Sequence, residues 1–286
     1  VPPESHSKPS PEPPPPPLFG FDAFSPKEVA ARIETAGVAK ARLPLPAMAL
    51  LALLGGVYIG FGALMFLLVM ADPTLPFAVA RVLGGLVFSL GLLTVVVAGA
   101  ELFTGNHLLA IAWADGRLRT GEVLRNWAVV GAGNALGAAA LALAVAWAGL
   151  GAFNGGQLAQ QALKLAQAKA ALPWDVALVR GLLCNVLVCL AVWMAMAGRS
   201  VVDKAVAVVP PVTAFVALGL EHSVANFFFF PLAALLEAGP AAAGLPAPAA
   251  AGIATNLAAV IAGNLLGGSV AVAGVYWVVY RRAAAG

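Results

Sequence analysis

The sequence predicts an all-α integral membrane protein of six transmembrane helices in an inverted 3+3 repeat, with helices two and five broken. Of the 286 residues, 61% are apolar and only 10% charged, against roughly 25% charged in soluble domains. Too few polar groups remain to cover a water-facing surface, so lipid is the expected solvent. Six apolar runs reach the ~20 residues that a helix needs to cross the hydrocarbon. Two polar strings also recur at matched places in the two halves of the chain.

Residues 1–20 read as a Pro-rich cytoplasmic tail, with unbroken proline from Pro13 to Pro17. That composition favours an extended, solvated chain, and it lacks the basic-then-apolar order of a signal peptide. Residues 21–44 read as an amphipathic N-terminal helix at the membrane surface, with Ser25 as N-cap and Pro26 in the first helical position.

The first three-span repeat occupies residues 45–150. Span one covers about 45–71 and ends at Asp72-Pro73; span three covers about 123–150. Span two starts near Phe77 and meets the string Glu101-Leu102-Phe103-Thr104-Gly105-Asn106 after Ala100. The apolar residues 107–113 that follow are too few to cross anything, so a broken or re-entrant helix is expected there and not a loop. A polar periplasmic connection, 151–172, carries Lys164 and Lys169. The second repeat, 173–282, holds span four (about 174–197) and span six (about 251–280). Between them a fifth run begins at Ala205, is interrupted by Glu221-His222-Ser223-Val224-Ala225-Asn226, and resumes over Phe227–Leu236.

Of the 16 lysines and arginines, twelve fall on one side when the N-terminus is placed inside. They are Lys8, Lys27, Arg32, Lys40, Arg42, Arg117, Arg119, Arg125, Arg199, Lys204, Arg281 and Arg282. Only Arg81, Lys164, Lys169 and Arg180 fall on the other. By the positive-inside rule both termini are cytoplasmic. No basic face with interleaved aromatics appears, which argues against a nucleic-acid partner.

The repeat places the pathway. Asn126…Gly133-Asn134…Gly137 opens span three, and Asn256…Gly263-Asn264…Gly267 sits in span six. Upstream of each lies an equally spaced pair, Glu101…Asn106 and Glu221…Asn226. An odd number of spans per repeat turns the halves in opposite directions, and interrupted helices at matching places mark a conduction site. Unwound backbone at membrane depth survives only inside protein or beside water.

His222 is the single histidine deep in an apolar run, and a membrane-buried ionisable group is a functional candidate by default. Thr104 holds the comparable place in the first break, and its hydroxyl can meet either a solute or the His222 ring. Glu101 and Glu221 are expected to clamp the breaks by accepting hydrogen bonds. Asn134 and Asn264 are expected to satisfy unwound backbone, with Gly133 and Gly263 permitting close helix approach. Cys184 and Cys189 read as small buried apolar residues. No nucleotide loop, zinc spacing or nucleophile elbow occurs, so neither a cofactor, a metal nor a catalytic residue is expected.

At these residues the chain resembles the formate/nitrite transporter family. The matching strings are Ala98-Gly-Ala-Glu-Leu-Phe-Thr-Gly-Asn106, Asn126…Gly-Asn134…Gly137, the run from Arg180 to Trp193, Gly198-Arg-Ser-Val-Val-Asp-Lys204, Glu221-His-Ser-Val-Ala-Asn226 and Gly263-Asn264-Leu-Leu-Gly-Gly268. In order, they span nearly all of residues 25–282. The resemblance implies an aquaporin-like fold, a homopentamer with one pore per protomer, and a place in a bacterial cytoplasmic membrane. The Gly198–Lys204 stretch is most similar to the formate channel branch, and Leu-Phe-Thr-Gly is similar to nitrite-type members too.

The resemblance also implies residue roles. His222 would be the central pore histidine and Thr104 its partner. Leu92, Leu102 and Val188 would line apolar constrictions on the cytoplasmic side, and Phe88 and Phe215 would narrow the periplasmic side. Asn185 and Asn264 would offer polar contacts, and Lys169 would draw anions to the outer vestibule. The expected function is passage of a small monovalent anion, formate above nitrite or hydrosulfide, with a proton linked to it at His222. A neutral-solute channel of aquaporin type would carry Asn-Pro-Ala at both breaks, which is absent. A membrane enzyme would need a second catalytic group beside His222.

Overall fold

The computed structural model describes residues 23–237, 239 and 245–282; the predicted tail over residues 1–20 lies outside the described residues. The described chain is all helical. Helix α1 (Pro26–Ala41) starts as the sequence predicts, with a reciprocal cap. Ser25 Oγ accepts from the Glu28 amide, and the Glu28 carboxylate accepts from the Ser25 amide at 2.7 Å. The Ser25 hydroxyl and amide hold the Glu28 carboxyl below the usual carboxylate range. Ser25→Ala should speed amide exchange in the first turn of α1 roughly fivefold, measured by hydrogen exchange.

One stripe of α1, including Val29, Ile33 and Gly37, is buried against Leu108, Ile111, Trp193 and Val272. Glu34 on that stripe is fully buried and paired to Arg117 (2.8 Å) and Arg281 (2.5 Å). The pairs tie α1 to the loop before α5 and to the end of the last helix.

Among the described residues, five helices are long and apolar enough to cross a membrane. They are α2 (Leu45–Met70), α3 (Phe77–Thr94, prolonged by a π turn to Gly99), α5 (Thr120–Trp147), α7 (Trp174–Ala197), and a continuous stretch from Ala250 to Tyr280. That last stretch is α10 (Ala250–Leu265), a π segment over Leu266–Gly274 and α11 (Val275–Tyr280). Between α3 and α5 lie a 3₁₀ segment, Gly105–Leu109, and α4 (Ala110–Ala114). The fifth apolar run is in two pieces, α8 (Val201–Ala217) and α9 (Ser223–Leu236).

Two elements differ from their sequence-based outline. The polar connection at 151–172 holds a helix, α6 (Gln157–Ala170), which buries Leu158, Ala159, Ala162, Leu163 and Ala166 along one face. The fifth run starts at Val201, four residues before Ala205, because Ser200 and Asp203 form a second reciprocal cap.

A single large core joins α2, α3, α5, α7, α8 and α9, with Ile59, Phe88, Val130, Val188, Val212 and Phe228 among its members. The outer surface is apolar too: Phe77, Leu50, Leu136 and Val270 are each more than 60% exposed. In water such a belt would be unstable; in a bilayer it is the ordinary outside of the protein.

Candidate functional site

The site is built where α3 and α8 stop short. Each stop leaves backbone groups without helical partners inside the apolar core, and an asparagine from another helix satisfies them. At the first stop, Asn134 Oδ1 accepts from the Phe103 amide (2.8 Å), while its Nδ2 donates to the Ala52 and Glu101 carbonyls (2.6 and 2.9 Å). At the second, Asn264 Oδ1 accepts from the Ser223 amide (2.9 Å), and its Nδ2 donates to the Gly181 and Glu221 carbonyls (2.8 and 3.0 Å).

A second pair of networks repeats in the same way. Glu101 accepts from Lys40 (2.6 Å) and Asn106 (2.6 Å), and Asn106 donates on to Asn126 (2.9 Å). Glu221 accepts from Lys169 (2.8 Å) and Asn226 (2.8 Å), and Asn226 donates on to Asn256 (2.9 Å). Asn126 and Asn256 then donate to the carbonyls of Lys40 and Lys169 respectively. All four glutamate and asparagine residues at the breaks are buried. Each carboxylate thus has a cation and an amide donor, which is what a buried charge requires.

Lys40 was not among the sequence-predicted site residues. Its signal was positional: it stands five residues before the start of α2, as Lys169 stands five before the start of α7.

His222 forms the N-cap of α9. Its Nδ1 accepts from the Ala225 amide (3.1 Å), which fixes the neutral ring's proton on Nε2. Nε2 faces Thr104 Oγ1 at 3.0 Å, so the two breaks meet through one hydrogen bond. The ring stacks on Phe215 (5.8 Å between centroids, 14° apart), and Phe215 packs edge-on against Phe88. A proton on Nδ1 would remove the cap bond and set a positive charge at a helix N-terminus, where cations are disfavoured.

Two cavities approach this contact. One, of about 370 Å³, is lined by His222, Phe88, Phe215, Phe229 and Leu220, with Arg81, Arg180 and the Lys169–Glu221 pair also in its wall. The other, of about 320 Å³, is lined by Leu102, Val95, Met196, Asn106 and Lys204, with the Lys40–Glu101 pair in its wall. Thr104, Leu92 and Val188 line neither cavity and are buried, Leu92 and Val188 in the same core as Phe88, Leu102 and Phe215.

The structure therefore brings Phe88, Phe215 and His222 together in the wall of one cavity, with Thr104 buried behind His222, and places Leu102 in the wall of the other. Three further expected residues are engaged within the protein. Asn264 has its carbonyl and both amide hydrogens engaged by backbone. Asn185 is fully buried and lines neither cavity, its Nδ2 turned to the Thr104 and Asn264 carbonyls. Lys169 is buried and paired with Glu221, its ammonium 5.6 Å from the Phe229 ring centre. In the same cavity wall Arg180 and Arg81 have no carboxylate within ion-pair distance among the described residues. Arg81 instead donates to the Ala217 and Val216 carbonyls at the end of α8.

Comparison with known proteins agrees with this architecture. The profile of the family described as Formate/nitrite transporter matches residues 27–278. Formate channel FocA of Escherichia coli K12 is 37% identical over 275 residues, covering 92% of this chain and 96% of the relative. A probable formate transporter of Methanothermobacter thermautotrophicus is 34% identical over 276 residues, covering 90% and 97%. Among solved structures, a pentameric formate channel with formate bound superposes with a TM-score of 0.75 at 37% identity, covering 82% of this chain and 97% of that one. The chain belongs to the formate/nitrite transporter family, whose members are membrane transporters and not enzymes.

Proposed function

We propose that the chain conducts small monovalent anions, formate foremost, through each protomer of a homopentamer in a bacterial cytoplasmic membrane. In this reading α3 with α4, and α8 with α9, are the broken second and fifth spans of an aquaporin-like inverted 3+3 repeat. Both termini are cytoplasmic, as the lysine and arginine bias requires. The cavity holding Arg81 and Arg180 is then the outer vestibule, and that holding Lys40 and Lys204 the inner one.

The observation that carries the proposal is the His222 Nε2–Thr104 Oγ1 contact of 3.0 Å, made by a histidine in the wall of a cavity that phenylalanines and two arginines also line. The arginines concentrate anions. The phenylalanines then remove their water, which for a bare carboxylate costs several kcal/mol. Neutralising the anion avoids that cost.

The only ring proton His222 presents is on Nε2. Uptake of a proton from the vestibule at Nδ1 makes the ring an imidazolium, which can pass its Nε2 proton to a formate oxygen and leave formic acid. That uptake breaks the Ala225 cap bond, which reforms when Nε2 is the protonated nitrogen again. Leu102, Leu92 and Val188 would form the second apolar barrier, crossed by the neutral acid.

Formate flux into proteoliposomes should rise as external pH falls, and His222→Asn should flatten that dependence. A His222→Asn protein with the wild-type pH profile would reject the proton link. Wild-type liposomes without anion flux would reject the channel itself. Formate, nitrite and hydrosulfide compared in the same assay rank the cargo.

A further inference from the structure

The matched networks of the two breaks cease to match at His107. By the pairing of Asn106 with Asn226, the position matching His107 holds Phe227. By the pairing of Ala52 with Gly181, the position matching Asn185 holds Gly56. Where the repeat departs from itself, a fully buried imidazole meets a fully buried amide. The ring is flanked edge-on by Phe103 and Trp127 at 4.7 and 5.4 Å, and none of these neighbours is charged.

Asn185 Nδ2 has three acceptors around its two hydrogens, the Asn264 carbonyl (2.6 Å), the Thr104 carbonyl (3.2 Å) and His107 Nδ1 (2.8 Å), so one hydrogen is shared between two of them. Two backbone carbonyls fix the amide with its nitrogen towards them. An amide nitrogen has no lone pair to offer, so His107 Nδ1 must be the acceptor and the neutral ring carries its proton on Nε2. Space for this cluster depends on Gly268 in the π segment. A Cβ there would lie 2.5 Å from Asn185 Nδ2, 2.6 Å from His107 Cβ and 2.9 Å from Cys189 Sγ. Departures into π geometry within a helix recur at functional sites. Among the described residues, His107 Nε2 and Asn185 Oδ1 are buried without hydrogen-bond partners, and buried polar atoms left so call for an explanation.

We propose that His107 is a positioning residue for anion passage: as a neutral acceptor it steers the Asn185 amide onto the Thr104 carbonyl, and so sets Thr104 against His222. The inference rests on the reading of Thr104 and His222 as the constriction.

The test uses the full chain in liposomes, with ¹⁵N-labelled histidine observed by solid-state NMR and formate flux measured on the same samples. Wild type should show His107 neutral with Nε2 protonated. His107→Met should shift the His222 nitrogen signals and lower flux about tenfold, the effect of one lost buried hydrogen bond. His107→Gln, whose side-chain carbonyl can accept from Asn185, should restore both to within about twofold. A ring protonated on Nδ1, an unmoved His222 signal in His107→Met, or equal behaviour of the two variants overturns the proposal. Should His107→Met fail to assemble, the wild-type tautomer and the His222 signal of His107→Gln decide alone. Absent flux in wild type sinks the transport reading, whereas the NMR arms judge His107 without it.

Discussion

Replacing Lys169 by methionine should destabilise the protein by about 3–5 kcal/mol, the usual cost of stranding one member of a buried ion pair. The Glu221 carboxylate keeps Asn226 and Asn256 as neighbours but loses its only cation among the described residues. Its side chain is 2% exposed, so water cannot compensate. Thermal unfolding in detergent checks the loss, and Lys169→Met combined with Glu221→Gln should recover most of it, because no charge then remains unpaired. If the single and double variants unfold alike, the pair is not a clamp. The parallel experiment at Lys40 and Glu101 should give a smaller loss, since the Lys40 side chain is 32% exposed and water can replace it.

Asn264→Leu is the second large effect. It removes three hydrogen bonds at once and leaves the Ser223 amide and the Gly181 and Glu221 carbonyls facing an apolar side chain. At about 1–3 kcal/mol for each unsatisfied group, the variant should lose roughly 3 kcal/mol or more, read by the same unfolding assay. Asn134→Leu should behave alike, because Asn134 serves the Phe103 amide and the Ala52 and Glu101 carbonyls in the same pattern. A full-strength protein after either change would mean that water reaches the breaks.

The long apolar helices were legible because one physical requirement dominates them: the bilayer sets a minimum run of apolar residues. Trp174–Ala197 has the bounds that its sequence outlines, and Leu45–Met70 ends one residue earlier. The Glu…Asn strings at 101–106 and 221–226 marked where α3 and α8 end, since charge in an apolar run needs a reason. Less visible were features set by tertiary contact. Helix α6 was hidden by its glutamines and lysines, although Leu158, Ala162 and Ala166 keep a four-residue spacing. The ion pairs of Lys40 and Lys169 span 61 and 52 residues, a separation that no local pattern encodes. The π segment at Leu266–Gly274 arises where Gly268 packs against His107 and Asn185, which only the packed structure reveals.

Each glutamate at the two breaks finds its lysine on a helix made earlier in the chain, Lys40 before Glu101 and Lys169 before Glu221. A ribosome delivering this polypeptide to the membrane therefore releases the counter-ion first and the acid afterwards, twice over. The leading segment can seal its costliest group within lipid while the trailing one is still being synthesised. Neither acid must wait, exposed to hydrocarbon, for a partner not yet born.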